Sequence, residues 1–243
     1  MNAPLRALAP SCPLLALSAL LGASLVSADS LAGPTWDDDY TEDALETAVG
    51  AQVVSLAGSV LMINGRLTGV GFDGAPDFVD MYLVDVSAPT LLSLSTAGGD
   101  LGGDANFDTQ LFLFRRVGNP NDPRALGLLA NNDAAPGLVG SRVGNSASDG
   151  SFTLLTPGLY YIAISGLGTN PISETGELIF GGMSTPGAVV FGGERQLSGW
   201  AGQGLTGEYS IRLEAVNGVP APGALALLGA LVAAPRSRRR RTN

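Results

Sequence analysis

The strongest constraint on this 243-residue chain is the stretch Phe107–Asp133, FDTQLFLFRRVGNPNDPRALGLLANND. Thr109, Leu111 and Leu113 alternate with Gln110, Phe112 and Phe114, the period-two pattern of a strand. A loop of Asn, Pro, Gly and Asp follows at Gly118–Pro123, and a second apolar run, Ala125–Ala130, leads into Asn131-Asn132-Asp133. Two strand-like runs around a turn-prone loop predict an antiparallel pair buried on at least one face.

Similar runs surround this pair. Gln52–Leu56 and Ser59–Ile63 read as strands, and Asn64-Gly65 after them carries the signal of a hairpin turn. Asp77–Val86 reads as a strand of ten residues, Leu91–Thr96 as the next. Ala134–Gly150 is small and polar, as a surface loop is. Ser151–Leu155 and Leu159–Ser165 flank the tight connection Thr156-Pro157-Gly158, and the second of them is apolar on both sides, which predicts burial on both. Thr169–Gly207 has little periodicity beyond a short strand at Leu178–Phe180, with Trp200 placed to plug one end of the core. Tyr209, Ile211, Leu213 and Ala215 alternate with polar residues in a half-buried closing strand. The sum is eight to ten short strands: an all-β fold, a β-sandwich of jelly-roll-like kind.

The 34 glycines and 15 prolines make long helices improbable within that body. There is no histidine, and all 13 basic residues are arginine. A Ser-His-Asp or Cys-His arrangement, an imidazole metal site and a lysine Schiff base therefore cannot be built from this chain alone. Arg6 and five tail arginines lie in the terminal segments, leaving 7 arginines against 22 carboxylates, or −15, for the central body. Such a surface repels nucleic acid and favours solubility or divalent cations.

The ends read as separate devices. Residues 1–28 have the form of a signal peptide: Arg6 before an apolar Leu14–Leu25 and a small-residue site at Val26-Ser27-Ala28. Its segment holds the lone cysteine, Cys12, so the exported chain would contain neither a disulfide nor a thiolate. Residues 29–46 form an acidic leader with the composition of a solvated segment, and 47–217 the sandwich. In 218–243, Val219-Pro220-Ala221-Pro222 precedes an apolar Gly223–Ala234 and the cluster Arg236, Arg238, Arg239, Arg240 and Arg241. Twelve apolar residues fall short of the ~20 that cross a bilayer core. The basic cluster fits a short hydrophobic helix halted, transiently, with positive charge on the cytoplasmic side.

Two stretches carry a family resemblance. The tail resembles a PEP-CTERM sorting signal, with Ala221 where the motif has glutamate. That resemblance implies recognition by an exosortase-type membrane enzyme after secretion, cleavage near Pro220–Pro222, and delivery to the cell envelope, cell surface or extracellular matrix of a bacterium. The body is similar to the bacterial pre-peptidase C-terminal (PPC) domain through DFVDMYLVDV at Asp77–Val86, FDTQLFLF at Phe107–Phe114, NND at Asn131–Asp133 and PGLYYIAISG at Pro157–Gly166, with a span of about Asp43–Val216. It implies a β-sandwich that accompanies secreted proteases; no peptidase motif occurs here. Some relatives bind calcium where an acidic segment meets the start of the DxxDxY-like strand, and Glu42, Asp43, Asp77 and Asp80 occupy those positions.

A regular strand would put Asp77 and Asp80 on opposite faces, so a shared Ca2+ ion requires a bulge or bend before Asp80. Asp108 with Asn131-Asn132-Asp133 forms a second polar cluster, read as turn caps. Tyr160, Tyr161 and Trp200 suit either a core or a sugar- or peptide-binding platform. The expected function is that of a secreted, non-catalytic envelope or matrix protein, structural or adhesive, meeting exopolysaccharide or matrix protein and no nucleic acid. The alternatives are a calcium-dependent polysaccharide- or protein-binding module, and a glycan hydrolase using paired carboxylates.

Overall fold

A computed structural model describes residues 35–37, 44–56, 58–71 and 74–219. The signal segment, Glu42, Asp43, Pro220, Ala221, Pro222, the hydrophobic tail and the arginine cluster lie outside them. Among the described residues the strands in chain order are β1 (Thr35–Asp37), β2 (Gln52–Val53), β3 (Met62–Leu67), β4 (Gly69–Val70), β5 (Pro76–Asp77), β6 (Val79–Val86), β7 (Ser93–Ser95), β8 (Asp104–Ala105), β9 (Thr109–Asn119), β10 (Asp122–Asn131), β11 (Arg142–Val143), β12 (Gly158–Gly166), β13 (Asn170–Ser173), β14 (Val190–Phe191), β15 (Leu197–Ala201), β16 (Gly207–Glu214) and β17 (Val216–Asn217). Eight of these are four residues or longer, matching the number of strands read from the sequence; the rest are short edge and bridging pieces.

Two sheets face each other. The larger has the order β14-β10-β9-β12-β6-β17, with β2 parallel to β6; the smaller has β1-β3-β16-β7-β11, with β8 on β16. The alternation in the sequence places the core. Leu111 and Leu113 of β9, Ile162 and Ile164 of β12 and Val84 and Val86 of β6 point inward, against Ile63 of β3 and Ile211 and Leu213 of β16. Phe107–Asp133 forms the expected hairpin, with β9 and β10 in register from Asn119↔Asp122 to Leu111↔Asn131. A bulge between Gly127 and Leu129 inverts the alternation of β10, so both Leu128 and Leu129 reach the inner core.

The larger sheet is buried on its other face too. Phe112, Phe114, Met81, Tyr161 and Ala163 form a second apolar layer with Ile179, Phe180 and Met183. That layer shows why β12 is apolar on both sides. Its cover includes the antiparallel β13–β15 pair with Leu197 and Trp200, and Ala48 and Ala51. Trp200 therefore covers the back of the sheet rather than one end of the core, in T-shaped contact with Phe112 and Phe114 at 5.3 and 6.3 Å. Its indole N–H donates to Glu46 O at 2.7 Å.

Several strand expectations need correction. β3 runs straight through Asn64-Gly65, and no hairpin forms there. Gly65 faces the core, where a Cβ would lie 2.3 Å from the Tyr209 hydroxyl and 2.8 Å from that of Tyr82. Glycine is set there by space, not by a turn. Gln52–Leu56 pairs only at Gln52–Val53, and the expected strands at Leu178–Phe180 and Ser151–Leu155 reduce to isolated bridges at Leu178 and Thr153. Asp77–Val86 is interrupted at Phe78, between β5 and β6. The acidic segment before the body contributes β1, parallel to β3, and Trp36 donates from Nε1 to Gln52 Oε1 at 3.0 Å.

Candidate functional site

The break at Phe78 separates the two aspartates expected to supply metal ligands from one strand. Asp77, at the end of β5, is 5% exposed and pairs in register with Gly69. Thr68 donates both its backbone N–H, at 2.7 Å, and its hydroxyl to Asp77 Oδ2. Asp77 Oδ1 is buried without a hydrogen-bond partner. Asp80, two residues into β6 and 1% exposed, shares the inward face of Tyr82 and Val84. Tyr209 of β16 donates its hydroxyl to Asp80 Oδ2.

Tyr82 and Tyr209 hydroxyls lie 2.5 Å apart. Since the Tyr209 proton is engaged by the carboxylate, Tyr82 is the donor in that pair. A chain of Tyr82, Tyr209 and Asp80 thus joins the sheets inside the core, beneath Gly65. Burial first, then the neighbouring Asp80 and Tyr82, hold the Tyr209 phenol well above its ordinary pKa. Tyr82 and Tyr209 went unassigned in the sequence, although Asp80-x-Tyr82 is a same-face pair on any strand.

Asp77 and Asp80 therefore bond to different elements, and Glu42 and Asp43 lie outside the described residues. Among the described residues no three acidic side chains gather closely enough to hold a metal. Tyr160 and Tyr161 are buried; their hydroxyls donate to Thr156 O at 2.5 Å and Ala48 O at 3.1 Å, so they belong to the two cores rather than to a binding platform. Trp200 borders a depression of about 210 Å3 with Phe78, Glu46 and Gln203. On the outer face of the smaller sheet, Asn64, Asp104, Asn106, Glu208 and Ser210 line another of about 240 Å3. Its amides are engaged: Asn106 Oδ1 accepts the Glu208 N–H at 3.0 Å, and Asn64 Oδ1 the Ser210 hydroxyl at 2.8 Å. No helix among the described residues is long and apolar enough to cross a membrane.

These features define a two-sheet sandwich whose larger sheet is covered on both faces. Residues 78–166 match the family model of the bacterial pre-peptidase C-terminal domain. The match runs from the break at Phe78 to the last residue of β12 and takes in β6, β9, β10 and β12, the four consecutive strands at the middle of the larger sheet. No curated protein and no solved structure matches the chain.

Proposed function

We propose that the chain is a secreted, non-catalytic protein of the cell envelope or extracellular matrix, in which the sandwich is a structural or adhesive unit. The observation that carries this reading is the match of the central strands to a domain that accompanies extracellular bacterial proteins. The export-like leader and the sorting-like tail at Val219–Arg241 agree with it, as does the excess of carboxylates over arginines in the body. Exopolysaccharide or a matrix protein is the partner class, and an exosortase-type enzyme the processing partner.

Expression of the full chain, tagged internally in the exposed Leu155–Thr156 loop, in a bacterium with an exosortase tests it. The expected result is a shortened product, lacking both terminal segments, in the envelope or medium. A full-length product confined to the cytosol refutes it.

A second reading, calcium-dependent binding, is favoured by Asp77 Oδ1, a buried carboxylate oxygen with no hydrogen-bond donor. A Ca2+ ion shared with Glu42 and Asp43 would give that oxygen a partner. In this reading calcium raises the melting temperature, and Asp77→Ala makes the rise smaller.

A further inference from the structure

Where β9 begins and β10 ends, the polar side chains fall into two sets. The first is saturated. Asn131 donates to Asp133 O at 3.0 Å and Ala188 O at 2.8 Å, and accepts the Arg142 N–H at 2.8 Å. The Thr96 and Thr109 hydroxyls are 2.6 Å apart, and Ser141 Oγ lies 2.5 Å from both Thr109 O and Asn132 O. The second set is Asp108, Asn132 and Asp133. Asp108 Oδ1 and Asn132 Oδ1 are buried with no hydrogen-bond partner, and Asn132 is only 7% exposed.

The backbone brings this second set together. Contact of Ser141 with both carbonyls holds residue 132 beside residue 109, next to Asp108. Asn131 turns its side chain toward Ala188 and Arg142, and Asn132 follows at the bend that ends β10, its amide oxygen buried and unbonded. Asn131 stands opposite Leu111, which brings Asn132 to the level of Gln110, and the period of two puts Gln110 and Asp108 on one side of β9. Asp133 is near enough for its charge to act on Asp108, whose carboxyl is raised above its ordinary value by burial first and by Asp133 second. Buried acceptors beside a second carboxylate are unfavourable unless a positive charge joins them. All the side-chain donors offered are oxygens, two carboxylates and an amide, the set that suits a hard cation.

We propose that Asp108, Asn132 and Asp133 bind a divalent cation of the calcium class at the end of the central hairpin. The site is distinct from Asp77, which lies on β5, paired with β4 outside the larger sheet and bonded to Thr68. Two carboxylates and no cage of further acids place its affinity in the range of extracellular modules, a Kd on the order of 10⁻⁴–10⁻³ M.

The test is calcium chloride titration of the full-length Asp77→Asn chain by calorimetry, with melting curves in calcium and in chelator. The expected result is that this chain still binds calcium, that adding Asp108→Asn weakens binding at least tenfold, and that Asp108→Asn in chelator melts no lower than its parent. That last readout separates a ligand from a turn cap, because a structural carboxylate would lower the melting point when neutralised. Absence of calcium binding in the Asp77→Asn chain, unchanged affinity on adding Asp108→Asn, or a lower melting point in chelator overturns the proposal. If Asp108→Asn does not fold, Asp133→Asn at its half-buried position carries the same comparison.

Discussion

Replacing Gly65 by alanine sets backbone propensity against packing. Glycine within a strand costs roughly 0.5–1 kcal/mol relative to alanine, so propensity alone makes Gly65→Ala stabilising. The structure gives the opposite sign. The new Cβ would lie 2.3 Å from the Tyr209 hydroxyl and 2.5 Å from its Cζ, and 2.8 Å from the Tyr82 hydroxyl. Both rings are buried between the sheets and cannot swing aside without opening the core. Overpacking of this kind costs about 1–3 kcal/mol. Displacing Tyr209 also breaks its hydrogen bond to the Asp80 carboxylate, and a bond to a charged group contributes about 1.5–3 kcal/mol. After the propensity gain is subtracted, a net loss of about 3 kcal/mol remains. With a urea slope of about 1–3 kcal/mol/M, the unfolding midpoint falls by about 1–3 M at unchanged slope. Tyr209→Phe loses the same hydrogen bond, so the double variant should cost less than the sum of the two singles. A Gly65→Ala midpoint equal to or above that of the parent refutes the assignment of Gly65 to this cradle.

Two further outcomes follow, one from the inner core and one from the layer behind the larger sheet. The raised Tyr209 pKa means that the unfolded chain ionises this phenol first, near pH 10, while the folded chain keeps its proton; its stabilising contribution is complete below about pH 10 and is lost as pH rises further. Urea midpoints between pH 9 and 11 should therefore fall less steeply for Tyr209→Phe than for the parent, and equal slopes contradict the assignment. Trp200→Ala strips the edge-on cover from Phe112 and Phe114 and should cost about 3 kcal/mol, the low end for a large aromatic because Trp200 is only half-buried; chemical denaturation measures it, and a change under 1 kcal/mol refutes the role.

The sequence shows the strands whose two faces meet different surroundings. β16 alternates because only its inner face fills the space between the sheets, whereas β9 and β12 read as apolar on both sides because both of their faces are covered. Asn64-Gly65 misleads because the reason for its glycine lies in Tyr82 and Tyr209, on β6 and β16, and no local window contains them. Residues 169–207 resist reading for a different reason. They roof an already complete sheet, so β13 and β15 carry few fully buried apolar residues and no sustained alternation. Asp77 and Asp80 were found as a pair, but the break at Phe78 that sends them to Thr68 and Tyr209 leaves no trace in composition. The cluster at Asp108 and Asn131–Asp133 was visible too; its division into a saturated Asn131 and buried, unbonded oxygens on Asp108 and Asn132 required side-chain positions.

β1 lies along the outer border of the smaller sheet, where its three residues occupy the free side of β3. A chain trimmed beyond Asp37 would present the bare N–H and C=O row of β3 to solvent, an open slot for an extended segment from a neighbouring molecule. A cut before Thr35 keeps Met62–Asn64 covered by β1, and a cut beyond Asp37 opens that stretch of the border to an extended segment of another molecule.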